Sequence, residues 1–383
     1  MEGRVFDPDQ LPQLKRLVRE ATQGDSGLLD KVLHEVTSLR PVTAIQPRNI
    51  NSISLVASDG GNNRLVFNPF SLQVVRVVDT FGQELFLDVI SSSTDTVALG
   101  QRHLDQDTPL GRLMRALGIS RLADLSPMIP EENKSRSWPL VYRDLCEWAV
   151  LYDLVGQKWG SDTLIIRDGL LRTKIFAGDG KRQKPLFIEL YKLLKEAIER
   201  TRRERRRDIF LVGIAKHSRV IERYRLAMAI ADVFPSGHPY YVAVEEGLQR
   251  KVYETWPEYV RSPEDDAADV ELPKFNMGAM YLVRFGRMSA DPVWAVDLLE
   301  FQAPKAQQIF GSLLSDAEQG FPIPCYPHCL QEADRHAQVV DLDLAILQHE
   351  LEEAVREQVA ADRRAVFDAQ VLSVSDPAAV RYQ

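Results

Sequence analysis

Two stretches decide the architecture: Ser52-Ile53-Ser54-Leu55-Val56-Ala57-Ser58-Asp59-Gly60-Gly61 and Thr163-Leu164-Ile165-Ile166-Arg167-Asp168-Gly169. Each is an apolar run of strand length that closes on an acid and a glycine. Each therefore reads as a buried strand delivering a carboxylate to its C-terminal edge, where open α/β sheets place ligands. A third run, Ile209-Phe210-Leu211-Val212-Gly213-Ile214-Ala215-Lys216, ends on a lysine instead. Taken singly, Asp-Gly after a strand is a turn, because the pair tolerates the positive φ that turns require. Two such ends and a lysine end, brought to neighbouring strands, have the composition of a metal and phosphate site.

Outward from these runs the pattern changes character. Residues 11–39 carry Leu11, Leu14, Leu17 and Val18, then Leu28, Leu29, Val32, Leu33 and Val36, at helical spacing around Gly24-Asp25-Ser26-Gly27, which predicts a helical hairpin. From 52 to about 90 short β-rich runs follow, Ile53–Ala57, Arg64–Phe67, Val74–Val78 and Leu85–Ile90, separated by Gly-Gly-Asn-Asn, Asn-Pro-Phe-Ser and Phe-Gly-Gln. Such spacing predicts an antiparallel meander beginning at the Asp59 strand. After a polar, proline-bearing stretch at 126–139 come a helix from Leu140 to about Trp159, the Asp168 strand, a helix from Leu186 to Arg207 and the Lys216 strand. Residues 261–274 are acidic and apolar-poor and read as an exposed loop. Strands at Met280–Phe285 and Val293–Phe301 precede a helical end from about Leu330 to Phe367. A meander followed by alternating elements is an α/β pattern: a mixed sheet with helices on its faces, an N-terminal helical hairpin and a C-terminal helical segment. The expected division is 1–50 for the N-terminal helical segment, 51–340 for the central domain and 341–383 for the C-terminal helix and tail.

The chain has 383 residues, enough for one large domain or two moderate ones. A net charge of −8 argues against indiscriminate coating of nucleic acid, so any DNA contact must be local. Three cysteines, Cys146, Cys325 and Cys329, are too few and too unevenly placed for a disulfide framework. The first residues lack the basic and apolar regions of a signal peptide, and no apolar run approaches the ~20 residues of a membrane span. A cytoplasmic protein without a membrane partner is expected.

Other candidates are weaker individually. On the 140–159 helix, Trp148, Leu151, Tyr152 and Val155 form one apolar stripe with Glu147 on its border, which half-buries that acid; taken by itself, hydrogen bonding to a neighbouring loop is the favoured reading. Arg200, Arg202, Arg203, Arg205, Arg206 and Arg207 crowd one helix end. Cations there suit the helix dipole, but six exceed what capping needs, so a phosphate or an acidic partner surface is the second reading. Cys325 and Cys329 with His328 and His336 lack the second cysteine pair of a structural zinc site. Asp297 and Glu300 offer further acids on a strand, as supporting ligands or as ordinary outward-facing residues.

The segment Tyr326-Pro327-His328-Cys329-Leu330-Gln331-Glu332-Ala333-Asp334-Arg335-His336-Ala337 completes an ordered set. A strand ending in Asp-Gly-Gly, a mid-chain helix glutamate, a strand ending in Asp-Gly, a strand ending in lysine and a C-terminal Tyr-Pro-x-x-Leu-x-x-Ala-Asp-x-x-Ala together resemble the NurA nuclease family, over roughly residues 50–340. The resemblance implies an RNase H-like sheet, Mn²⁺-dependent (or Mg²⁺-dependent) cleavage of DNA, a homodimer, and partnership with a HerA-like hexameric ATPase. Position by position, Asp59, Glu147 and Asp168 match its metal-binding acids, Lys216 its strand-end lysine and Tyr326 its motif tyrosine, which would position a phosphate or a base. Arg203, Arg206 and Arg207 are the candidates for DNA or partner contact. The chain departs from the pattern at Gly61, where serine is frequent, and at Cys329, where a second proline is. Carboxylates of this number suit hard divalent cations, and a pair of such ions supplies what phosphodiester hydrolysis needs. Two rivals remain: a phosphate-binding ATPase of the actin and sugar-kinase type, for which Gly60-Gly61-Asn62-Asn63 is a poor hairpin, and a non-catalytic adaptor of the same fold.

Overall fold

A computed structural model describes residues 10–48, 53–67, 69–129, 138–173, 175–176, 186–252, 277–338 and 341–373. The acidic loop expected at 261–274 and most of the polar stretch at 126–139 lie outside them. In chain order the elements are α1 (Leu11–Gly24), α2 (Ser26–Val36), β1 (Thr43–Ala44), β2 (Ile53–Phe67), β3 (Phe70–Asp79), β4 (Glu84–Ser91), α3 (Thr96–Asp105), α4 (Pro109–Ala116) and α5 (Leu122–Leu125). Then follow α6 (Trp138–Gly156), β5 (Asp162–Asp168), α7 (Leu186–Arg205), β6 (Ile209–Ala215), α8 (Arg219–Ile230), β7 (Tyr240–Ala243) and α9 (Glu246–Val252). The rest are β8 (Gly278–Arg284), β9 (Trp294–Leu299), α10 (Ala306–Ala317), α11 (His328–Ala337), α12 (Asp341–Gln358) and α13 (Arg364–Ser373). The mixed sheet flanked by helices and the helical C-terminal segment are as the sequence predicts. α1 and α2 form where expected, but α1 buries no residue and leaves Leu11, Leu17 and Val18 exposed, so the two are not packed as a hairpin.

The chain divides into two compact units, Met1–Ser58 with Leu154–Gln331 and Asp59–Asp153 with Glu332–Gln383. In the first unit the strand order is β1-β7-β8-β9-β6-β5-β2. β2, β5 and β6 run parallel, and β9, β8, β7 and β1 continue antiparallel. All seven residues of β6 are buried, and so are the middle five of β5, because parallel strands covered on both faces need apolar side chains on both. Their apolarity made them legible in the sequence. Ser218 caps α8, its hydroxyl accepting the Val220 N–H, and α8 packs on α2 over Val32, Val36, Leu39, Val220, Tyr224 and Met228.

The second unit holds the antiparallel pair β3–β4 beside the second half of β2. Leu65 and Val74 bury against Leu351 and Val355 of α12. Two of its helices start where the sequence marks them: Asp95 accepts from Val97 and Ala98 at the head of α3, and Thr108 with Pro109 opens α4.

One expectation is overturned here. β2 does not stop at Asp59; it runs unbroken from Ile53 to Phe67, through Gly60-Gly61-Asn62-Asn63. The glycines serve close packing rather than a turn. A Cβ on Gly60 would lie 2.3 Å from Glu147 Oε1, and one on Gly61 would lie 2.0 Å from the carbonyl oxygen of Ala337. Glu147 can swing aside, whereas the end of α11 cannot without moving backbone. Gly61 is thus the stricter requirement.

Candidate active site

In the first unit three residues far apart in sequence meet on one carboxylate. β5 ends on Asp168, and the next residue, Gly169, turns the chain with φ +112°. β6, its parallel neighbour, ends one residue before Lys216, and the Lys216 Nζ lies 3.0 Å from Asp168 Oδ2. Tyr326, just before α11, donates its hydroxyl to Asp168 Oδ1 at 3.2 Å. The ammonium also sits 5.6 Å from the centre of the Tyr326 ring. Trp294 also packs edge-on against that ring at 4.7 Å, and its indole N–H donates to the Cys325 carbonyl at 2.5 Å. Cys325 itself takes a left-handed backbone, φ +55°.

This geometry corrects the role expected of Tyr326. Its side chain has no exposed surface, so it does not stack on a base. Its hydroxyl faces Asp168.

In the second unit Asp59 lies within β2 and accepts the N–H of Gly60 at 2.7 Å. Glu147 projects from α6, with its carboxylate over Gly60 and 3.3 Å from the Arg143 Nε one turn earlier. The helix that carries it is fixed by a buried polar network. The Tyr142 hydroxyl donates to Asp88 Oδ2 at 2.5 Å and lies 2.6 Å from His103 Nε2, while Arg102 donates to both Asp88 oxygens at 2.6 Å. Burial pushes the Asp88 carboxyl up, but hydrogen bonds from His103, Tyr142 and Arg102 outweigh it and hold the group below its usual range. The same burial, with the Asp88 charge beside it, pushes the Tyr142 phenol well up, so it remains a donor. Sequence reasoning missed this network. Its members sit on β4, α3 and α6, and only folding collects them.

The remaining candidates part company. Asp297, on β9, has no exposed surface and is gripped by Arg172, Nε to Oδ2 at 2.7 Å and Nη2 to Oδ1 at 2.9 Å. Arg172 in turn donates to Gln249 and to the Gly278 carbonyl. A carboxylate saturated in this way is structural, which removes Asp297 as a supporting ligand; burial still pushes its carboxyl up, against the pull of Arg172. Glu300 is exposed at the start of the turn after β9. His336 gives its backbone carbonyl to Arg76 at 2.8 Å. The cysteines are free thiols, with Cys329 buried and its N–H on Asp316.

The arginine cluster caps α7 and is exposed throughout. Arg202 faces Asp208 at 3.5 Å. Because α7 leads into the start of β6, the cluster lies at the opposite end of that strand from Lys216, roughly 20 Å away at the usual rise per residue. It does not serve the same phosphate as Lys216.

Asp59, Glu147 and Asp168 are hard oxygen donors, chemically suited to Mn²⁺ or Mg²⁺. Among the described residues, however, no group of three or more histidine, cysteine, aspartate or glutamate side chains is drawn together closely enough to hold a metal ion. Asp168 is held by Lys216 and Glu147 by Arg143, so a cation at either would compete with an ammonium or a guanidinium.

No protein-family model matches the chain, and no curated protein does. Among solved structures, that of the NurA nuclease from Sulfolobus solfataricus is similar at 11% identity over 93% of this chain and 99% of that one, with a TM-score of 0.47. A structure of NurA bound to dAMP and manganese is similar at 11% identity over 94% and 100%, with a TM-score of 0.38.

Proposed function

We propose that this chain is a metal-dependent nuclease that hydrolyses phosphodiester bonds of single-stranded DNA and DNA ends. The convergence of Lys216 and Tyr326 on Asp168, at a sheet edge, is the observation that supports it most. β2 and β5 are in parallel register up to Ser58 and Arg167, one residue before each acid of the two Asp-Gly motifs. In this reading Asp59, Glu147 and Asp168 hold Mn²⁺, or Mg²⁺. The ion would supply an activated water and charge neutralisation at the phosphoryl oxygens. Tyr326 holds one Asp168 oxygen in place. Lys216, beside Asp168 at the end of β6, would supply positive charge to the phosphate. The actin and sugar-kinase reading needs a hairpin after the first aspartate, where β2 instead runs straight on.

The test is degradation of single-stranded DNA with and without Mn²⁺. Cleavage that appears with Mn²⁺ and stops with EDTA is expected; none in any divalent cation sinks the proposal. In the same assay Lys216→Ala is expected to lower turnover by about 10²-fold, the scale of one lost charge-stabilising group. Mn²⁺ should still raise its melting temperature, since the three acids remain. Unchanged turnover would reduce Lys216 to a strand end.

The proposal extends to a homodimer and to a HerA-like hexameric ATPase that delivers DNA, in end processing or in defence against foreign DNA. A chain of net charge −8 collects DNA poorly by itself, and its basic residues concentrate at the exposed end of α7. Neutralising Arg203, Arg206 and Arg207 together separates two roles. A shallower salt dependence of DNA binding identifies phosphate contacts, and lost co-purification with the ATPase identifies docking. If neither moves, the cluster is a solvated helix end.

A further inference from the structure

α1 runs for 14 residues and buries none of them. Among the described side chains from Gln10 to Lys31, Leu14 is half-buried and the rest are exposed. The sequence of α1 is nonetheless two-sided. Leu11, Leu14, Val18 and Ala21 recur at the alternating three-and-four spacing of a helical seam, with Leu17 beside them, while Lys15, Arg16, Arg19 and Glu20 all fall outside that stripe. These apolar side chains stand in water: Val18 is 65% exposed and Leu17 49%. Leu28 and Leu29, at the start of α2, are exposed as well. A helix of this length is marginal in water by itself and draws its stability from burying an apolar face. The stripe therefore calls for a partner.

The shape of the stripe says which partner. A helix lying in a membrane surface presents a broad apolar face, commonly with Trp or Phe at the headgroup level. α1 has no aromatic residue, and its stripe is the narrow seam, widened by Leu17 alone, that suits another helix. Two copies of this stripe can meet without burying a charge, because every charged side chain of α1 lies outside it. A two-fold interface needs such a patch that complements itself. Size sets the extent of the contact. A stable interface draws on roughly 20–30 residues a side, of which α1 supplies about half, so the exposed leucines of α2 are drawn into it. We propose that α1 is a dimerisation helix, its apolar stripe packed on the same stripe of a second copy of this chain, with Leu28 and Leu29 extending the contact. This rests on the homodimer reading and is independent of the nuclease reading.

The experiment reads the mass of the full chain by sedimentation equilibrium, from dilute to concentrated solution. Leu11→Glu with Val18→Glu puts charge into the stripe, and Arg16→Gln, on the opposite face of α1, is the control. Wild type and control are expected to be dimeric, and the double variant to dissociate about 100-fold more readily, since two apolar side chains are lost from each copy. Neither Leu11 nor Val18 is buried within one chain, so the fold should be kept, and the melting temperature at low concentration checks it. Amide exchange in α1 should slow as wild type is concentrated and stay fast in the double variant. If wild type is a dimer and the double variant is equally so, the α1 assignment is overturned and the homodimer reading stands. If wild type stays monomeric throughout, both fail, and DNA cleavage with Mn²⁺ still decides the nuclease reading by itself. If α1 is protected only by vesicles of phosphatidylserine and phosphatidylcholine, and salt reverses it, the stripe lies on lipid and the dimer contact is overturned.

Discussion

Asp168→Asn and Asp59→Asn are expected to lower Mn²⁺-dependent cleavage about 10³-fold or more, since each removes a charged oxygen donor from the proposed metal site. Asparagine is the informative replacement at 168. It keeps one oxygen to accept from the Tyr326 hydroxyl, while its amide nitrogen replaces the oxygen that faces Lys216, so the tyrosine contact survives and the charge is lost. Alanine there should also be inactive, but it strands that hydroxyl at a cost of ~1–3 kcal/mol, which a thermal melt would register. The comparison separates chemistry from support. If the asparagine variants fold like wild type and cut at the wild-type rate, these acids are not the metal-binding residues.

The second large effect is on stability. Asp297→Ala leaves the Arg172 guanidinium buried without its carboxylate, and breaking one side of a buried pair in this way costs ~3–5 kcal/mol. A urea transition should move to much lower denaturant. Replacing both partners, Arg172→Met with Asp297→Leu, should recover part of the loss, because no charge is stranded although the Gln249 amide oxygen and the Gly278 carbonyl lose a donor. A full loss of activity in a single variant of wild-type stability would instead return Asp297 to the reacting centre.

How much of this was open to sequence reading follows from what each signal depends on. The ends of β5 and β6 were legible because parallel strands covered on both faces must be apolar along their length. Such a run stops visibly, at Asp168 and at Lys216. The end of β2 was not. Asp-Gly-Gly is equally a turn and a strand making room for a neighbour, and the neighbours that decide it, the Glu147 carboxylate and the Ala337 carbonyl, lie about ninety and nearly three hundred residues further along. Glu147 was placed correctly on the border of an apolar helix face, but the Asp88, His103 and Tyr142 contacts that hold its helix carry no local pattern.

For the polar residues the limit is sharper. Asp168 and Asp297 are both acids on apolar strands, at the end of one and inside the other. One faces a lysine and a tyrosine at a sheet edge, and the other an arginine in the core. Sequence alone determined the strands β3 to β6, β8 and β9, how apolar they are and which acids they carry, but not β1, β7 or the length of β2. Tertiary structure decided what each acid faces, because a carboxylate's role is set by the charge and solvent within a few ångströms of it, and those are supplied by residues from other strands and helices.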